Sequence, residues 1–225
     1  MELVIVIGLG GIGSLLVEPL ARYLNSKETC EKLLLVDGDT YSRSNLERQR
    51  ISENDLNYNK AEIQARKLQS LFPKLSILAK PEYLSPKNAS DVMVEDSAVF
   101  SCVDNHATRK LISDTAKRLK DIILISGGNE YTDGNIQVYW KANGRNKTQP
   151  IDKYHDEIKY PDDENPADLS CEEIAELDGG EQIIFTNLTV ATLMLNAFYS
   201  VTMKGINYQE VYFDIMTNKA NPVKR

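Results

Sequence analysis

The stretch LVIVIGLGGIG, Leu3 to Gly13, decides the fold. An apolar run ends in Gly8, Gly10, Gly11 and Gly13, and the residues after Gly13 have the spacing of a helix. A strand that enters a glycine turn and then a helix is the opening unit of a parallel α/β sheet. The glycines let a phosphate approach the backbone, and the free N–H groups at the helix start favour an anion. Further on, a second apolar strand, KLLLVD, ends in Asp37, where a ribose-binding carboxylate belongs. This context points to a nucleotide and leaves NAD and ATP both open.

The alternation continues outward. The first helix is predicted to follow Gly13, with Ile12, Leu15, Leu16, Leu20, Tyr23 and Leu24 on one face and Pro19 inside it. KAEIQARKLQSLF, Lys60 to Phe72, reads as a second helix stopped by Pro73, and Leu75 to Ala79 as a third strand. A weak helix near Ser90 precedes a short apolar strand, Ala98 to Cys102, which delivers VDNHATR to its carboxyl end. Asn105 is placed to cap the helix that runs on to Leu119. Ile122 to Ser126 makes the last parallel strand, and NEYTDGNIQVYW reads as a hairpin turning at Asp133-Gly134. Residues 142–168 are polar, carry three prolines and the run DDEN, and read as a mobile crossover loop. An apolar helix from Ile183 and a final strand, EVYFDIM, complete the chain. The expected fold is α/β and Rossmann-like: a mostly parallel sheet with an antiparallel extension and helices on both faces.

A chain of 225 residues with 42% hydrophobic content fits one domain spanning 1–225. It opens on a strand without a basic n-region or cleavage site, so a cytoplasmic protein is expected. Cys30, Cys102 and Cys171 suit neither a disulfide framework nor a paired zinc site. A net charge of −7 argues against a nucleic-acid surface. The longest apolar stretch, Ile183 to Val201, contains Asn187 and Asn196 and reads as a buried or interface helix, so no membrane partner is expected.

In this order and spacing, GLGGIG, DGDTYSRSNLERQ (Asp37 to Gln49), Lys60 and CVDNHATR resemble the adenylating domain of the ThiF/MoeB/E1 family. The hairpin GNEYTDGNIQVYW extends the likeness over most of the chain. In the final third, SCEEIAEL, the long helix and the terminal strand are most similar to compact stand-alone bacterial ThiF-type proteins, such as those of plasmid-borne PRTRC systems. The resemblance implies activation of the C-terminal carboxylate of a ubiquitin-like or sulfur-carrier protein with MgATP. It further implies that Asp37 holds the ribose hydroxyls, that Asp39 supports that loop, and that Asn45, Arg48 and Lys60 contact the phosphates. Asp104 would hold Mg²⁺, and the glycines, Gln49 and Asn105 complete the nucleotide-binding set. Attack of a carboxylate on the α-phosphorus builds negative charge on the triphosphate, which is why cations must surround it.

Plainer roles stand beside these. Asp39, Asn45 and Gln49 suit a turn, and Asp104 suits a helix N-cap. Cys171, opening SCEEIAEL, is the candidate for a covalent thioester: helix-start amides would favour its thiolate, and Glu172 and Glu173 would oppose it. Cys30 and Cys102 read as core residues. The chain lacks the paired C-x-x-C of many family members, so no zinc is expected. It also lacks the helix before the first strand that lends an arginine to a partner's ATP, leaving Arg22, Arg50 or a partner chain as substitutes. A homodimer is expected by resemblance, with a conjugating enzyme as a further partner downstream. Two alternatives remain: a NAD-dependent oxidoreductase, for which His106 and His155 offer no obvious dyad, and a non-catalytic subunit that binds ATP or a ubiquitin-like tail.

Overall fold

The computed structural model describes residues 1–27, 31–46, 49–169 and 183–225. Five strands are parallel: β1 (Leu3–Ile7), β2 (Lys32–Val36), β3 (Ser76–Lys80), β4 (Ser97–Ser101) and β5 (Ile122–Asn129). They continue into antiparallel β6 (Asp133–Ala142), β8 (Glu210–Asp214) and β9 (Lys219–Val223), with the short β7 (Arg145–Asn146) paired to β6. The sheet order is β3-β2-β1-β4-β5-β6-β8-β9. The chain first moves from β1 out through β2 to β3, then returns to the other side of β1 through β4. Ligand crevices form at such a reversal, outside the carboxyl ends of the strands.

Successive residues of β1 point to opposite faces, and each face has its own core. Val4 and Val6 pack with α1 (Gly11–Lys27), α2 (Lys60–Leu71) and α6 (Ile184–Met203), while Ile5 and Ile7 pack with α3 (Ala89–Val92), α4 (His106–Arg118) and α5 (Asp156–Lys159). Helices therefore cover both sides of the sheet. By length and composition α6 is apolar enough to cross a membrane, but Val190, Met194 and Phe198 on its inner face are buried in the first core.

Three local expectations are corrected. The first helix starts at Gly11 and not after Gly13, because the Ser14 N–H already donates to the Gly10 carbonyl at 3.1 Å. Asp133-Gly134 is not the hairpin turn: Glu130 N–H donates to the Asp133 carbonyl at 2.9 Å, and Gly134 pairs with Asn129 inside the ladder. A Cβ on Gly134 would lie 2.4 Å from the Gly128 carbonyl oxygen, so close strand approach selects glycine there. The chain also ends in two strands rather than one. β9 is exposed along most of its length and contains Pro222, so it carries no alternating signal.

The stretch expected as a mobile loop carries β7, α5 and a 3-10 turn, Pro166–Asp168, and runs back along α4. Asp152 accepts from the Ser113 hydroxyl at 2.5 Å and from Lys117 Nζ at 2.8 Å. Ile151 and Ile158 are buried in the second core, and the buried Asn165 donates to the Leu84 carbonyl at 3.0 Å. These are isolated anchors, not a repeating face, which is why periodicity gave no sign of them.

Candidate active site

The glycine turn is packed on two sides and open on the third. Gly8 has φ +89°, and a Cβ there would meet the Cys102 carbonyl oxygen at 2.8 Å; one on Gly13 would meet the Gly8 carbonyl oxygen at 2.0 Å. Gly10 has nothing within 4 Å of a Cβ position. Two glycines therefore seat the turn between β1 and β4, and the third leaves room for a ligand at the start of α1, whose first turn holds no acidic residue.

Asp37 closes this turn from the next strand. Its two carboxylate oxygens accept from Leu9 N–H at 2.6 Å and Asp39 N–H at 2.8 Å. Burial pushes the Asp37 carboxyl up to about 6, against the opposing pull of the Lys60 charge and the two amide hydrogen bonds. Its visible work is thus to tie β1's turn to the end of β2.

Lys60 stands in the first turn of α2, where the helix dipole disfavours a cation. Asn59 explains how it is held: its Oδ1 caps α2 by accepting from Glu62 N–H at 3.1 Å, while its Nδ2 donates to the carbonyls of Asp37 and Asp39 at 2.9 and 3.1 Å. Lys60 is only 7% exposed, and its ammonium lies 2.7 Å from Asp39 Oδ2. The hydroxyl of Tyr83 donates to the other oxygen of Asp39.

Asp104 follows β4 at the far side of the crevice and is exposed. It is not the helix cap: Asn105 Oδ1 accepts from Thr108 N–H at 2.8 Å, and Asp163 accepts from His106 and Ala107 N–H, both at 2.7 Å. No group of three metal-binding side chains occurs among the described residues. A single exposed carboxylate at a crevice open to an anion would suit Mg²⁺, which keeps waters and takes phosphate oxygens as its other ligands.

Of the remaining candidates, Asn45 is buried and its Oδ1 accepts from Ser42 N–H at 3.1 Å, closing the 3-10 turn Arg43–Asn45. Gln49 is buried, and its N–H donates to the Asn45 carbonyl at 2.9 Å. Arg48, Cys171 and Cys30 lie outside the described residues. Cys102 is buried, and burial pushes its thiol up to about 12, as a core residue requires. The weak substitute Arg50 is ion-paired to Glu18 and lines a 460 Å³ groove between α1 and α2 with Ser14, Gln64 and Lys67.

Three contributors lacked a sequence signal. Asn59 and Tyr83 belong to no motif. Arg109 stands in the quoted VDNHATR, but only the fold reveals its place: it is buried behind the crevice, with Nη2 donating to the Val103 and Gly127 carbonyls at 2.8 and 3.0 Å. A Cβ on Gly128 would lie 2.6 Å from that nitrogen. Burial lowers the Arg109 pKa, with Asp104 the first of several charges opposing the fall.

Comparison with known proteins agrees with this geometry. The ThiF family model matches residues 2–221. The chain is 34% identical over 136 residues to the adenylyltransferase and sulfurtransferase UBA4 of Yarrowia lipolytica, covering 60% of this chain and 33% of that protein. It is 36% identical over 142 residues to the adenylyltransferase and sulfurtransferase MOCS3 of Drosophila ananassae, covering 63% and 30%. The chain thus spans about a third of the length of these curated relatives. Among solved structures, Escherichia coli MccB with ATP superposes with a TM-score of 0.73 at 18% identity, over 99% of this chain and 63% of that one, which shows the fold. With the match running nearly end to end and the glycine turn, the Asp37 segment and Lys60 meeting at one crevice, the chain belongs to the ThiF family.

Proposed function

We propose that this protein is an E1-like adenylating enzyme that activates the C-terminal carboxylate of a ubiquitin-like or sulfur-carrier protein with MgATP. The observation that carries the reading is the convergence of an open glycine turn, a buried lysine and an exposed carboxylate at the sheet reversal. The family and the placement of Lys60 favour ATP over a nicotinamide dinucleotide.

In the reaction, a carboxylate oxygen of the carrier bonds to the α-phosphorus, and the bond to the β-phosphate breaks with release of pyrophosphate. The amides at the start of α1 face the phosphates through the opening at Gly10. Lys60, with Arg48 and Asn45, offsets the charge that builds on the phosphate oxygens. Asp37 would hold the ribose hydroxyls, Asp39 supports that loop, and Asp104 would hold Mg²⁺, which screens the triphosphate when bound. Transfer of the acyl group to the Cys171 thiolate, expelling AMP and forming a thioester, is the proposed second step. We further propose a cytoplasmic homodimer that meets through the exposed face of α6, where Phe185, Leu188, Tyr199 and Met203 are uncovered.

The test is ATP–pyrophosphate exchange with candidate carriers, followed by mass spectrometry of the carrier and enzyme. Carrier-dependent exchange is expected, and Lys60→Ala should slow it on the order of 10²-fold, the scale of one lost electrostatic donor. A reductant-sensitive adduct absent from Cys171→Ala would support the thioester step. ATP binding without exchange for any carrier would instead favour a partner subunit that only binds nucleotide, a role consistent with the Lys60–Asp39 pair being closed.

A further inference from the structure

Tyr83 lies in the connection after β3, within reach of the crevice but outside every motif, and its role rests on the ATP-binding reading of that crevice. Two contacts define it. Its ring atoms come within 2.6 Å of where a Cβ at position 38 would be, so the ring lies against the bare backbone of Gly38 between the two aspartates. Its hydroxyl donates to Asp39 Oδ1. The connection is itself pinned, since Asn88 Nδ2 donates to the Tyr83 carbonyl at 3.0 Å and Asn88 Oδ1 accepts from Ser85 N–H at 2.8 Å. Asp39 is thus gripped from two sides, by Tyr83 on one oxygen and by Lys60 Nζ at 2.7 Å on the other.

A lysine closed on a carboxylate cannot also serve a phosphate unless it lets go or shares. Nine-tenths buried, Lys60 has little room to move far, so the exchange depends on how strongly Asp39 competes for it. We propose that Tyr83 is a positioning residue for ATP: it pins and partly satisfies Asp39, so that Lys60 can turn to a phosphate oxygen without the carboxylate following. With the hydroxyl removed, Asp39 Oδ1 loses its Tyr83 donor and the partly exposed carboxylate keeps Lys60 as its charged partner, so the ion pair becomes the stronger rival of the phosphate. Burial, together with the charges of Asp39, Asp37 and Asp104, raises the Tyr83 pKa far above neutrality, so the hydroxyl stays a donor throughout the working pH range.

The experiment is calorimetric binding of a non-hydrolysable ATP analogue with Mg²⁺, and of adenosine alone, to the wild type, Tyr83→Phe, Asp39→Asn and the double variant. Phenylalanine keeps the ring on Gly38 and removes only the hydroxyl. Analogue affinity is expected to fall roughly three- to tenfold in Tyr83→Phe, the scale of one hydrogen bond to a charged group. Adenosine affinity should not change, because it carries no phosphate for Lys60. In the Asp39→Asn background the same substitution should change analogue affinity by less than about twofold, the non-additivity of two groups acting through each other. Equal loss for adenosine would overturn the inference by placing the effect of Tyr83 on the nucleoside and not on Lys60. Unchanged analogue affinity would overturn it while leaving the ATP site standing. A wild type that binds no analogue at all would overturn the ATP-binding reading itself.

Discussion

At the scale of single residues, the site is built from side chains used against their ordinary preferences. Asp37 is a carboxylate in a buried place, and its proton is held more tightly in the folded chain than in the unfolded one, about 6 against 3.8. A carboxyl raised in this way favours the fold below about pH 4, and its contribution is lost as pH rises through about 6, a swing of about 3 kcal/mol. Asp37→Asn should therefore flatten the fall in stability between those two values relative to the wild type, measured by urea unfolding across the pH series. Equal slopes in the two proteins would show that Asp37 is ionised without strain. This residue and Lys60 were legible in the sequence because each sits at the end of a periodic element, where a strand or helix fixes its position in space. Tyr83 and Asp163 were not. Their partners, Asp39 and the amides of His106 and Ala107, are 44, 57 and 56 positions away, and nothing local marks such a pairing.

At the scale of elements, the turn and helix that begin the chain separate folding from binding. Gly13 has no space for a methyl group, whereas Gly10 has open space. Gly13→Ala should cost about 2–3 kcal/mol of stability, because backbone and not a flexible side chain would have to shift. Gly10→Ala should leave the melting temperature near that of the wild type and weaken ATP binding by tenfold or more. Thermal melts with and without the nucleotide read both effects, and a Gly10→Ala protein that binds ATP normally would move the phosphates away from this turn. The order of elements through β6 was readable because apolar runs and helical spacing alternate cleanly. Boundaries and turns were less so: Asp133-Gly134 carries a strong turn signal, yet ladder packing against Gly128 claims it for the strand. The segment after β7 was the hardest to read, since its order comes from Asp152, Ile158 and Asn165 acting one at a time.

At the scale of the whole molecule, two features face outward. The inner face of α6 completes a core, and its outer face leaves Phe185 68% and Leu188 49% exposed. Exposed apolar side chains of this size grouped on one helix are what the proposed dimer interface rests on. Leu188→Glu should convert the proposed homodimer to a monomer in light scattering while leaving the fold intact, and an unchanged mass would move the interface elsewhere. The sheet's far margin behaves differently. An open strand offers its unpaired backbone to any extended peptide, and a protein proposed to handle the flexible tails of other proteins would meet many. β9 ends the sheet at that margin with Lys219 at one end and Pro222 near the other, a cation that repels close stacking and a residue without an N–H to donate. The last strand thereby works as a selvedge, a finished edge that gives an extended peptide a poor template for pairing.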